Sequence, residues 1–150
     1  MNRRCESELA QVCRREQVSL LPYSPLGGGV LTGKYTDSFP DGARFTAYQT
    51  AGERQQKMAG RFLNDRSRAL VECLKPIAND VGVTLTALAV AWSRQHDFVA
   101  STIIGATTVE QLDESLAAKD LILDQETMSR IDEIDEQIPN ALREDGLRRL

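Results

Sequence analysis

Apolar positions along this chain follow two periods. Between Glu6 and Glu16, Leu9, Ala10, Val12 and Cys13 recur at helical spacing, which turns Arg3, Arg4, Arg14 and Arg15 toward solvent. From Asp65 to Val81 the stripe is longer: Ala69, Leu70, Cys73, Leu74, Ile77, Ala78 and Val81. Pro76 inside it predicts a kink or local break, and Gly82 ends it. Thr84 then caps a helix from Leu85 to Gln95, so apolar all round that it must be buried. A helix with a thin apolar face is predicted over Glu53 to Leu63, and another from Thr108 to Ala118. Asp124 caps a last one, Gln125 to Glu136, with Met128, Ile131 and Ile134 inward. The polar tail from Pro139 is expected to fray. Short apolar runs at Val18 to Pro22 and Phe98 to Ile104 read as buried strands, and Leu121 to Leu123 as extended.

Strands alternating with helices predict a parallel α/β architecture. Only two strands are convincing, whereas a parallel sheet needs covered faces and more than two strands. The chain is therefore expected to be a piece of a larger α/β fold or to pair with another chain. Alone it should be poorly stable, with apolar strand edges open.

Each strand runs into a turn rich in small residues. Ser19 to Tyr35 reads SLLPYSPLGGGVLTGKY. Glycines there let backbone N–H groups approach an anion, and Lys34 adds a point charge; Lys34 and Arg44 together could form a local positive patch. Ser101 to Leu116 reads STIIGATTVEQLDESL. Gly105 precedes Thr107 or Thr108 as a helix cap, with Glu110 and Gln111 in the first turn, so unpaired N–H groups again suit an anion. The polar excursion from Thr36 to Gly52 has no consistent period. With Phe39, Phe45 and Tyr48 in it, it reads as a lid or binding loop.

The 150 residues suit one domain, 1–150, and 41% hydrophobic content suffices for a core. A net charge of −4 with interspersed signs argues against nucleic acid as a partner. Cys5, Cys13 and Cys73 have no metal or disulfide spacing beside the single histidine. With no bilayer-length apolar run and no apolar signal region at the N-terminus, a soluble cytoplasmic protein is expected.

The stretches PYSPLGGGVLTGKY and ASTIIGATTVEQLDESL, with RALVECLKPIANDVGVTLTALAVAWSRQ between them, resemble the aldo-keto reductase superfamily, especially its potassium-channel β-subunit-like branch, over about residues 2 to 136. The resemblance implies an α/β fold, a partial (β/α)8 TIM barrel: the last two βα units plus the C-terminal helix. It implies NADP(H) as cofactor. Tyr23, Ser24, Pro25, Leu26, Gly27 and Gly28 would lie against the pyrophosphate, with Lys34 and Arg44 near phosphates. Gly105, Thr107, Gln111, Glu114 and Ser115 would clasp the 2′-phosphate and adenine; the family usually has asparagine where Ser115 stands.

The family's catalytic tyrosine, aspartate, lysine and histidine lie on the first half of that barrel, and no stretch here resembles their motifs. Tyr23 belongs to the cofactor loop; Tyr35, Tyr48 and His96 read as structural or surface residues. The chain is thus expected to lack catalysis alone. It would act on a small carbonyl substrate only when completed by an N-terminal half. A non-catalytic regulatory or interaction subunit, docking through open strand edges and able to form an oligomer, is the second reading. The third is a P-loop nucleotide-binding protein, since Gly28 to Tyr35 reads GGVLTGKY, with Tyr35 where that motif has its metal-binding hydroxyl.

Overall fold

The computed structural model of the chain describes residues 2–142. Among these the order is a 3₁₀ turn (Arg4–Glu6), α1 (Leu9–Glu16), a 3₁₀ segment (Gly27–Thr32), α2 (Arg44–Gln49), α3 (Glu53–Phe62), α4 (Asp65–Val81), α5 (Leu85–Arg94), α6 (Val109–Leu116) and α7 (Gln125–Gln137).

The helix ends follow from their capping chemistry. Asn64 caps α4 reciprocally, its side chain accepting from Ser67 N–H while the Ser67 hydroxyl accepts from Asn64 N–H. Thr84 caps α5, Thr108 caps α6 and Asp124 caps α7, each accepting from an N–H three residues on. The Thr127 backbone and side chain hold the Asp124 carboxyl below its ordinary range. Gly82 closes α4 in the left-handed conformation.

The expected partial (β/α)8 TIM barrel is corrected: the described residues are helical and form no sheet. The two strand-like segments touch at isolated parallel bridges, Leu20 with Val99 and Tyr23 with Ile103. Phe98 accepts from Leu20 N–H at 2.8 Å, Leu20 from Ala100 N–H at 3.0 Å and Pro22 from Ile103 N–H at 2.9 Å. Donors on the second segment thus step from residue 100 to 103 against acceptors 20 and 22, a register slip that interrupts regular pairing. Pro22 and Pro25 add no N–H, and Leu21 and Tyr23 stay exposed. Leu121 to Leu123 joins neither segment among the described residues.

Packing centres on α4. Ile77 and Ala78 meet Ala87, Leu88 and Ala91 of α5, with Leu123 and Ile131. Toward its start, Leu70 and Val71 pack with Val30, Leu31, Tyr35 and Phe45. Full burial of a side chain such as Phe45 is worth about 1.5–3 kcal/mol. A smaller cluster, Ala10, Cys13 and Phe98, holds α1 against Leu20 and Val99.

Four expectations change in detail. The excursion from Thr36 to Gly52 contains α2, whose Phe45 is core rather than lid. α4 continues through Pro76, which is exposed, so the carbonyl it leaves unpaired can face water. Cys73 is exposed rather than on the buried stripe, and Leu9 and Val12 are also exposed. Arg3, expected in solvent, is half-buried over the Trp92 ring at 5.0 Å and pairs with Glu6 and Asp132. Burial alone would weaken its hold on the proton; the two carboxylates outweigh that and raise its pKa. The expected fraying from Pro139 falls mostly on residues 143–150, outside the described residues. Before them Ala141 is buried and its carbonyl accepts from the Asn64 amide at 3.0 Å. No single helix among the described residues is long and apolar enough to cross a membrane.

Candidate functional site

Helix α5 carries both stretches singled out by the sequence. Leu26 from the first and Ile104 from the second pack on the apolar cluster that α5 shares with α4. Ser93 on α5 and Thr102 share a hydrogen bond of 3.1 Å, and the Thr86 hydroxyl donates to Glu114 of α6 at 3.1 Å. The Tyr23–Ile103 bridge sets the two chain segments side by side where they leave for their turns. One buried helix therefore fixes the start of both.

In the first turn Ser24 has φ 60°, an uncommon conformation for a residue with a side chain. Gly27 N–H donates to Ser24 and Gly29 N–H to Leu26 at 2.9 and 3.0 Å. Gly28 and Gly29 have φ of 69° and 96°. A Cβ on Gly28 would stand 2.6 Å from Phe45 Cζ, so the Phe45 ring fills the place a side chain would need. A Cβ on Gly29 would meet Lys34 Cε at 2.9 Å and Nζ at 3.0 Å. The Lys34 ammonium thus folds back onto the glycine turn, 5.2 Å from the Tyr35 ring centroid. A cation held against a glycine backbone turn is chemistry suited to an anion. Arg44 is exposed at the start of α2, next to Phe45. Tyr35 is buried, and its hydroxyl accepts from Phe45 N–H at 3.1 Å. That structural task occupies the hydroxyl which a P-loop reading would compare with a metal ligand.

The second turn is open. Gly105 and Thr107 are exposed, and nothing lies within 4 Å of a Cβ built on Gly105. Thr107 donates to Gln111 Oε1 from both its N–H, at 3.0 Å, and its hydroxyl, at 3.1 Å. Ser115 is buried and its hydroxyl donates to the Gln111 carbonyl at 2.9 Å. Glu110, in the first turn of α6, has its pKa lowered by a hydrogen bond from its own backbone N–H and by the Thr108 hydroxyl. The start of α6 thus carries its own carboxylate and amide oxygen, and an incoming anion must displace them.

Tyr23, Ser24, Pro25 and Gly27 also line a cavity of about 380 Å³ that reaches Trp92 on α5 and His96 just beyond that helix; none of Gly105, Thr107, Gln111, Glu114 or Ser115 lines it. His96 lies between the Trp92 ring at 4.6 Å and the Phe98 ring at 5.1 Å, and burial lowers its pKa, which favours the neutral ring. Sequence reasoning did not find the roles of Phe45 and Ser24. The spacing of Phe45 and Tyr48 within the excursion was the available signal for a buried helical face; nothing in the sequence marked Ser24 as left-handed.

Comparison with known proteins gives the family of the chain. Residues 1–136 match the model of the aldo/keto reductase family. A probable voltage-gated potassium channel subunit beta of Arabidopsis thaliana is 40% identical over 118 residues, 78% of this chain and 34% of that protein. Its counterpart in Oryza sativa subsp. japonica is 37% identical over 137 residues, 89% of this chain and 40% of that protein. Protein tas of Escherichia coli (strain K12) is 35% identical over 139 residues, 89% of this chain and 37% of that protein. The chain thus spans between 34% and 40% of the length of these curated relatives. With the family model matched from residue 1 to residue 136, the chain belongs to the aldo/keto reductase family.

Proposed function

We propose that this chain supplies the NADP(H)-holding loops of a cytoplasmic carbonyl/alcohol oxidoreductase. The observation that carries the reading is Lys34 folded onto the Gly28–Gly29 turn, beside a second small-residue turn anchored on the same helix. Tyr23, Ser24, Pro25, Leu26, Gly27 and Gly28 would line the pyrophosphate, with Lys34 and Arg44 pairing with phosphates. Gly105, Thr107, Gln111 and Glu114 would hold the 2′-phosphate and adenine. Ser115 would act through Gln111, whose carbonyl it already engages. The bound nicotinamide would supply or accept a hydride; these residues bind and orient it. No catalytic residue is assigned in this chain, and a small carbonyl substrate would be met by groups outside it.

The test is NADPH binding read by energy transfer from Trp92, the only tryptophan. The chain alone should bind weakly or not at all. Co-expression with a polypeptide covering the remaining length of a relative should restore binding, and Lys34→Ala with Arg44→Ala should then weaken it by at least about tenfold. Restored binding that survives the double substitution rejects the assignment. A second reading, a subunit that regulates a partner, is favoured by the relatives named as potassium channel subunits. Unimpaired partner binding by the same double variant would support it.

A further inference from the structure

His96, the only histidine of the chain, sits where charged groups of the first turn, α1 and α7 meet. Its ring stacks on Phe98 and stands at 81° to Trp92, and its Nε2 is buried with no hydrogen-bond partner among the described residues. It borders one polar recess with Arg3, Glu6, Arg14 and Asp132. Cys5 and Asp135 line the cavity that His96 also reaches, and Asp97 follows it in the chain. The carboxylates around the ring are already held by arginines. Glu6 accepts from Arg3 Nε at 2.8 Å and from Nη2 at 2.6 Å, Asp132 lies 2.8 Å from Arg3 Nη1, and Asp135 lies 3.9 Å from Arg3 Nε. Asp97 accepts from Arg14 Nε and Nη2, both at 2.7 Å.

A neutral imidazole fits this arrangement, because it asks nothing of those oxygens. An imidazolium does not fit. Both ring nitrogens then carry protons, and a buried cation without a partner is costly, so it must take a carboxylate from an arginine. Glu6 and Asp97 are each gripped by two hydrogen bonds, whereas Asp132 is joined to Arg3 by an ion pair and is half exposed. We infer that His96 and Arg3 exchange Asp132 under the control of one proton. With His96 neutral, Arg3 ties the first turn to α7. With His96 protonated, the imidazolium takes Asp132 and Arg3 keeps Glu6, so the short ion pair to α7 is lost. Burial lowers the pKa of the ring and Arg3 acts in the same direction, while Glu6, Asp132 and Asp97 oppose them. The unfolded chain, without that burial, takes the proton first. The stability that neutral His96 contributes is therefore present above about pH 6.5 and declines as pH falls below it.

With one histidine in the chain, the imidazole C–H signals in NMR report this site alone. Their titration midpoint should lie below about pH 6.5. Arg3→Gln removes the competitor and should raise the midpoint by at least about half a pH unit, roughly threefold in proton affinity; Asp132→Asn removes the acceptor and should lower it by a similar amount. Coulomb forces alone would produce those two changes, so the exchange itself is read from the coupling of Arg3 with Asp132 in urea unfolding. Arg3→Gln, Asp132→Asn and the double variant should show coupling about one pH unit above the midpoint and none about one unit below. In a His96→Gln background the coupling should be equal at both pH values. Should Arg3→Gln unfold the chain, the Asp132→Asn midpoint decides, since that residue is half exposed. A midpoint at or above about pH 6.5, a midpoint that Asp132→Asn leaves in place, coupling that persists below the midpoint, or coupling lost equally with His96→Gln overturns the inference.

Discussion

The turn after Tyr23 and the turn after Ile103 use the same residue types: an apolar run, small residues, then hydroxyls. Their surroundings differ. Gly28 has no room for a Cβ because the Phe45 ring fills the space, and at Gly29 the flexible end of Lys34 would have to swing aside; around Gly105 the space is empty. The first turn is shaped by the core behind it. The second is held by its own caps, with Thr107, Gln111 and Ser115 bonded among themselves. A glycine in a sequence does not say which of these it is; the neighbours that decide it come from elsewhere in the chain.

Substitutions should separate the two turns. Phe45→Ala has the largest expected effect. It empties a site shared with Tyr35, Tyr48 and Phe62, at a cost of about 3–5 kcal/mol in urea unfolding. Gly28→Ala adds left-handed strain to the clash with Phe45 and should cost about 2–4 kcal/mol. In Phe45→Ala the same glycine substitution should cost less, because the clash is gone and only strain remains. Equal cost in both backgrounds would show that Phe45 does not shape the turn. Thr108→Ala removes the cap of α6 and should cost about 1 kcal/mol. Gly105→Ala should leave stability within about 0.5 kcal/mol of the parent. A large loss there would mean the second turn is as constrained as the first.

What was legible in the sequence was local. Thr84, Thr108 and Asp124 cap the helices expected of them, and Gly82 ends α4, because capping depends on residues within one turn. Thr108, and not Thr107, is the cap: its hydroxyl reaches the N–H of Gln111, while Thr107 is tied to the Gln111 side chain. The sheet was not legible. The runs at Val18 and Phe98 have strand-like composition, but a sheet depends on partners and register. Here the segments meet at two bridges with a slip between them. Phe45 read as lid for the same reason: its partners, Tyr35 and Phe62, lie 10 and 17 residues away, and no local period connects them.

Arg3 joins the first turn of the chain to α7 through Asp132, and its guanidinium lies over Trp92. Since that indole is the molecule's only one, its emission is a local gauge of this junction and not an average over the fold. A change in colour or intensity during unfolding would therefore date the parting of the N-terminal turn from the last helix, whatever the glycine turns are doing at that moment.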